Sequence, residues 1–428
     1  MKRKFMCGLV FVGLFVWMVS GSGKWGLAGA AFFNEQLGKV FAQSNQTEPP
    51  VVKREFDRVL TLQERQPIYM KEVKFIKVGE LEAGQPVVIV DEDEDYYELR
   101  LGKMNVYVRK GLGTVEQNKI WVLTEQERFG AVKTARKTMV HEENDLNSPT
   151  FMQLEEGYRY SVVREEGNWY IITLGERPGY IHKSSVTLDE GVPVLLYHHM
   201  IPHEKMKTTA STVSIEAFEE QIGYLAEQQF TTLSPQQLYD YLEGRLVLPA
   251  KAVLITFDDG LLSSKEYAYP ILKQYGFTAT QHIITSRLLI AKDEQQFDAD
   301  GPIQYLTAAD LVKLKDVFQF EAHTDELHEL TDTHIGIGMK LSTEAIFADL
   351  QTNITHLPGA VTLAYPYGQY NEAYTSAAKE AGLLLGFTII EGYANQKDSN
   401  YEVRRFGMTD NRSFEQFAAY VDGTMMRR

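Results

Sequence analysis

Apolar and polar positions divide the chain into three textures. Behind a basic start, Met1-Lys2-Arg3-Lys4, the residues from Phe5 to Ser20 are mostly apolar. A basic flank followed by an apolar run is an export signal. Cleavage at Val19-Ser20-Gly21 or at Ala28-Gly29-Ala30 would remove it. The run from Phe5 to Gly23 also nearly reaches spanning length, so an uncleaved membrane anchor stays open. Residues 1–30 are therefore expected to be a signal peptide or anchor. Residues 31–54, polar and carrying Pro49-Pro50, are expected to be a linker.

From about residue 55 the pattern changes to short runs of β-branched and aromatic residues broken by glycine and acidic turns, which predicts strands of small β units. Two stretches repeat each other. Tyr97 to Tyr107 and Tyr170 to Tyr180 have equal spacing, Gly102 aligns with Gly175, and Lys110 aligns with Lys183. Two all-β modules are expected, at 55–118 and 128–188, with Tyr107 and Tyr180 filling their cores. After Gly191 apolar strands alternate with helices. Strands are predicted at 194–197, 252–256, 279–284, 317–321, 361–364 and 384–389. A helix over 214–228 carries Ile215, Phe218, Ile222 and Leu225 on one face. Ser234-Pro235-Gln236-Gln237 and Thr307 open two more helices. Such alternation implies a parallel sheet covered by helices, and six or seven units over roughly 235 residues suit a (β/α) barrel better than an open sheet. The fold class is thus α/β, with a barrel domain over 190–428 behind two small all-β domains.

Composition narrows the chemistry. The 428 residues, 44% hydrophobic and 24% charged, are enough for two or three domains. A net charge of −15 argues against a nucleic-acid partner, which needs a basic face. The single cysteine, Cys7, lies in the N-terminal apolar run. No disulfide within the chain and no thiolate site in the folded part can form, so any metal must use His, Asp and Glu. Export without disulfides suits a bacterial surface protein.

In parallel α/β folds chemistry sits at the C-terminal strand ends. There the sequence places Thr256-Phe257-Asp258-Asp259-Gly260, Glu321-Ala322-His323-Thr324-Asp325-Glu326-Leu327-His328, Ala364-Tyr365-Pro366-Tyr367-Gly368, and His198-His199. Adjacent carboxylates after a buried strand are costly unless paired. His323 and His328 can converge on one divalent ion. Taken singly, the two aspartates read as a helix cap and the two histidines as loop residues; four motifs in order at strand ends favour a metal site. His141, His182, His203, His282, His334 and His356 have no such setting and are read as non-functional.

These motifs resemble the polysaccharide deacetylase family of carbohydrate esterases, over roughly 190–410. The resemblance implies Asp258 as general base, Asp259, His323 and His328 as ligands of a divalent metal (Zn2+ first), and the Tyr367 backbone N–H as part of an oxyanion hole. The family's usual C-terminal acid histidine is missing. Val194-Leu195-Leu196-Tyr197-His198 has its form at the other end of the domain, as in the subgroup acting on poly-β-1,6-N-acetylglucosamine. A circularly permuted, distorted barrel would bring that strand to the same place, which makes His198 the general acid, with His199 as runner-up. The family's third motif usually carries an arginine where Ala364 stands; Arg405 resembles part of a later motif and is placed to reach the base or to form a surface ion pair. Asp398 and Glu391 are candidates to orient the acid. The β modules resemble bacterial SH3-like modules, which implies binding to cell-wall polymer. The function implied is removal of N-acetyl groups from an N-acetylglucosamine polymer at the cell surface, poly-β-1,6-N-acetylglucosamine favoured. Peptidoglycan as substrate, a metal-dependent amidase acting on a non-sugar substrate, and an impaired polysaccharide-binding protein are the alternatives.

Overall fold

The computed structural model describes residues 51–123, 130–290 and 295–424. The expected signal or anchor at 1–30, with Cys7, and the linker as far as residue 50 lie outside the described residues. A strand, Val51–Leu62, already begins inside the stretch expected as linker. The described residues from 53 onward belong to one compact unit.

The repeat in the sequence becomes a repeat in strand pairing. In the first stretch, Gln66–Lys71 pairs with Phe75–Leu81 and Tyr96–Leu101 with Met104–Arg109. In the second, Thr138–His141 pairs with Thr150–Leu154 and Trp169–Leu174 with Arg177–His182. The hairpins of each stretch meet at equivalent places, Tyr69 opposite Tyr107 and His141 opposite Tyr180. Gly102 and Gly175, both at positive φ, make the matching tight turns. The two stretches also fuse. Phe75–Leu81 pairs with Thr150–Leu154, and Leu101 with Leu174, giving one ten-stranded sheet.

Tyr107 and Tyr180 do not fill cores. Side chains alternate along a strand, and Val106 and Val108 take the buried positions. Tyr107, half-buried, stands on the other face against Phe75, ring centroids 5.8 Å apart. Tyr180 likewise lies beside Trp169, at 6.5 Å, while Ile181 points inward.

The second half is a parallel barrel. Its strands are β1 (Val194–Tyr197), β2 (Thr231–Thr232), β3 (Ala252–Phe257), β4 (Ala279–Ile283), β5 (Phe318–Ala322), β6 (Thr362–Ala364), β7 (Leu385–Phe387) and β8 (Phe406–Gly407). Neighbours run β7-β6-β5-β4-β3-β1-β8, with β2 paired to the start of β3. Val403 bridges Phe387 in parallel, and Phe406 and Gly407 pair with Leu195 and Leu196. One short segment therefore joins β7 to β1 and closes the ring, so the first and last strands of the domain are adjacent. Every residue of β3 is buried, as expected for a strand covered on both faces. Phe257 packs on Tyr197, Phe218 and Phe318 at centroid distances of 5.3, 5.8 and 5.6 Å.

The helices begin where side chains cap them. The first α-helix among the described residues, α1 (Ile215–Glu227), is capped by Ser214 and buries Phe218, Ile222 and Leu225. The capping boxes Ser234/Gln237 and Thr307/Asp310 open Pro235–Leu242 and Ala308–Leu314. Among the described residues no helix is long and apolar enough to cross a membrane.

The β half is joined to the barrel by a ladder and a buried ion pair. Tyr158 and Arg159 pair with Pro249 and Leu248. The Arg159 guanidinium is paired with Asp189 and donates to the carbonyls of Pro249, Gly191 and Ala250. The Tyr241 hydroxyl donates to the other Asp189 oxygen at 2.6 Å. One hydrophobic cluster runs across this seam, from Leu60, Val78 and Phe151 to Leu238, Leu248 and Leu254.

Candidate active site

The expected residues converge at the C-terminal ends of the barrel strands. Strand β3 delivers Asp258 and Asp259, β5 leads into His323 and His328, and β6 leads into the turn Pro366–Gly368 with Tyr367. Asp259, Thr324 and Tyr367 all adopt left-handed backbone conformations, with φ of 76°, 66° and 56°. Such residues cost about 1–3 kcal/mol each and persist where the surroundings hold them. Three at one mouth mark it as a site built against local preference.

Asp259 Oδ1 lies 3.3 Å from Nε2 of both His323 and His328. The three ligand atoms are within 4.8 Å of one another. Ligand atoms of a tetrahedral site with bonds of about 2.0–2.1 Å stand about 3.3 Å apart, so the spacing fits. The buried Asp259 Oδ1 has no hydrogen-bond partner among the described residues. His323 Nδ1 donates to the Ala364 carbonyl at 2.7 Å, which fixes the tautomer and leaves Nε2 as the free lone pair. The donor set suits a divalent cation.

The electrostatics agree. Burial opposes the charge on Asp259, yet the close approach of the His323, His198 and His328 rings outweighs it and holds its carboxyl at about 2. Burial, then the neighbouring His323, pushes His328 down to about 3 and so keeps it neutral. His323 is also burdened by burial, but the adjacent Asp259 carboxylate, the charge of Asp258 and the Ala364 carbonyl raise it overall.

Asp258 is gripped from two sides. Arg405, from the segment closing the ring, donates Nη1 to Oδ1 at 2.9 Å and Nη2 to Oδ2 at 2.7 Å. Its remaining groups are held by the Thr388 carbonyl and Thr256 Oγ1. Arg405 is fully buried, which settles it as a barrel residue and not a surface ion pair. The guanidinium therefore reaches the carboxylate although Ala364 provides none. Burial works against the charged form of Asp258, but Arg405 and His282 together hold it well below the usual carboxylate range.

His282, read from the sequence as having no functional setting, lies beside the base candidate: its Nδ1 is 3.0 Å from Asp258 Oδ1. A signal was present. Thr280-Gln281-His282 is a polar run inside a strand that had to be buried, and such groups need partners.

His198 is half-buried at the end of β1, close enough for its charge to act on Asp259. His199 instead turns to Ser263 Oγ at 3.1 Å, and burial lowers its pKa. Glu391 is paired with Arg412, and Asp398 with Arg404 and Asn395, so both carboxylates have partners other than His198. The Tyr367 ring packs on His328 at 4.3 Å, and its hydroxyl donates to the His328 carbonyl at 3.1 Å.

A family profile described as polysaccharide deacetylase matches residues 246–386. A poly-β-1,6-N-acetyl-D-glucosamine N-deacetylase of Staphylococcus aureus is 32% identical over 219 residues, half of this chain and 72% of that protein. The chain belongs to the polysaccharide deacetylase family. Among solved structures, the Streptococcus pyogenes deacetylase PplD in complex with acetate covers 54% of this chain and 97% of its own, at 24% identity and TM-score 0.46. IcaB from Ammonifex degensii covers 55% and 98%, also at 24% and 0.46. The deacetylase profile takes in Asp258, Asp259, His323, His328 and Tyr367 but stops short of His198 and Arg405, the two residues that the ring closure brings alongside.

Proposed function

We propose that this deacetylase removes N-acetyl groups from an N-acetylglucosamine polymer by metal-dependent hydrolysis. The observation that carries the proposal is the set Asp259, His323 and His328, with ligand atoms within 4.8 Å, beside the clamped carboxylate of Asp258.

Asp259, His323 and His328 would hold a divalent ion, Zn2+ suiting the mixed nitrogen and oxygen donors best. Such an ion supplies Lewis acidity toward a water and an acetyl oxygen. Asp258 accepts the proton as water adds to the acetyl carbon. Arg405 keeps the Asp258 carboxylate fixed and ionised for that step. The backbone N–H of Tyr367 would donate to the oxygen on which negative charge develops. His198 then protonates the sugar nitrogen as the C–N bond breaks, giving acetate and a free amine.

The printed activity of the S. aureus relative supports poly-β-1,6-N-acetylglucosamine as the polymer. The matched strand pairings support reading 55–118 and 128–188 as two SH3-like modules. The aromatic groups outside their cores, Tyr69, Phe75, Tyr96 and Tyr107 in the first and Tyr180 in the second, would suit cell-wall polymer. Export to the cell surface fits such a substrate. One motive for an impaired enzyme was the missing arginine at Ala364; the Arg405 clamp on Asp258 supports the active reading on that point.

The test is acetate release from β-1,6-linked N-acetylglucosamine oligomers, chitooligomers and peptidoglycan side by side, with metal content measured on the same samples. Release from the β-1,6 polymer, lost in Asp258→Asn, is expected. A wild-type protein that holds a divalent ion yet releases no acetate from any of the three overturns the proposal.

A further inference from the structure

Asp258 Oδ1 accepts from two donors, Arg405 Nη1 at 2.9 Å and His282 Nδ1 at 3.0 Å, whereas Oδ2 accepts from Arg405 Nη2 alone among the described residues. A carboxylate oxygen has two in-plane acceptor directions. Both directions of Oδ1 are filled, and one direction of Oδ2 is open. The His282 ring is itself fixed. It is fully buried, packs on Phe387 at 5.4 Å, and places Nε2 3.3 Å from Thr362 Oγ1. The Thr362 hydroxyl oxygen also lies 3.0 Å from Glu321 Oε2, an oxygen that accepts from the backbone N–H groups of Val361 and Thr362. A chain of side chains thus runs from the base across three neighbouring strands, β4, β5 and β6.

We infer that His282 is a positioning residue for the deacetylation: it closes Oδ1 and so assigns Oδ2 of Asp258 as the oxygen that takes the proton from water. This rests on the function proposed above. The reason is geometric. A guanidinium alone leaves one acceptor direction free on each oxygen, so a water could be bound in a reactive or an idle pose. The Nδ1–H of His282 removes the idle one. The assignment requires a proton on Nδ1, since an unprotonated Nδ1 would set its lone pair against the carboxylate. With Nδ1 protonated, Nε2 accepts from the Thr362 hydroxyl, and Thr362 is itself anchored through its backbone N–H on Glu321, which holds the far side of the ring.

Two variants separate positioning from simple packing. His282→Phe keeps bulk and loses the donor; His282→Asn restores an N–H close to where Nδ1 stood. Loss of a hydrogen bond to a charged group predicts a fall in kcat of about 10- to 100-fold for His282→Phe. KM and metal content should stay near wild type, as expected for an interaction that matters in the transition state. His282→Asn should recover to within about threefold. Nitrogen-15 imidazole spectra of the metal-free wild type should show the proton on Nδ1 of His282, a readout independent of turnover. Wild-type kcat in His282→Phe, an equal loss in both variants, or a proton on Nε2 with Nδ1 bare would each overturn the inference. An inactive wild type would instead count against the proposed function, and the spectrum would still decide the tautomer.

Discussion

Replacing Arg405 by methionine tests the clamp most directly. The substitution removes a fully buried guanidinium and leaves Asp258, 2% exposed, with His282 as its remaining side-chain partner among the described contacts. Breaking one side of a buried ion pair costs about 3–5 kcal/mol, because the other charge is left uncompensated. The pH dependence has a definite sign. In the parent, the folded carboxyl lies well below its ordinary value, and the unfolded value is about 3.9. The pair's contribution is therefore complete above about pH 4 and is lost only as pH falls through the depressed folded value. In the variant, burial is no longer outweighed and pushes the Asp258 carboxyl up. Folded Asp258 then keeps a proton that unfolded Asp258 gives up. The deficit against the parent should widen with pH, by up to about 1.4 kcal/mol per unit, until the raised folded value is passed. Urea unfolding of metal-free protein at pH 5, 6, 7 and 8 measures this. Asp258→Asn combined with Arg405→Met removes both charges and should recover more than half of the loss. A deficit below about 1 kcal/mol at pH 7, far under the buried-pair cost, or one that is the same at pH 5 and pH 8, would refute the reasoning.

Three further outcomes are expected. Asp258→Asn should lower acetate release by about 10²- to 10⁴-fold, the usual contribution of a general base, while bound metal measured by elemental analysis stays at the wild-type level. His328→Ala should instead lose the metal itself, and a chelator should abolish wild-type activity until a divalent ion is restored; full metal content in His328→Ala would break the ligand assignment. Tyr241→Phe removes the hydroxyl that donates to Asp189 and should destabilise the protein by about 1.5–3 kcal/mol in thermal or urea unfolding, with kcat unchanged.

The chemistry at the strand ends was the most legible part of the sequence. Asp258, Asp259, His323 and His328 follow buried apolar strands directly, and a polar residue at that point has few bland explanations. The helix starts at Ser234 and Thr307 were legible for a local reason, since a capping box is written within four residues. The role of Arg405 was not, because a Val-Arg-Arg-Phe segment does not say which arginine faces inward; that depends on the segment lying between β7 and β1. His282 was missed because a lone histidine in a strand has no spacing to recognise, and its partner Asp258 is far away in sequence. Tyr107 and Tyr180 went wrong through the phase of alternation. The repeat gave the strands, but small residues such as Val106 and Val108 took the inside and the large rings the outside. The fusion of the two β stretches into one sheet left no mark in either stretch alone, because edge-to-edge pairing uses backbone groups that every residue carries.

The seam between the β half and the barrel bears on how the molecule comes apart. Each side covers apolar surface of the other, with Leu238 and Leu248 in the same cluster as Val78 and Phe151, and Arg159 is neutralised only while residues 189 and 248–250 stay in place. Melting of one side would bare the other to water and strand a charge, so heat should give a single cooperative transition across residues 53–424. A chain trimmed to the barrel would be born with a greasy flank and would be expected to clump, whatever the integrity of its catalytic groups.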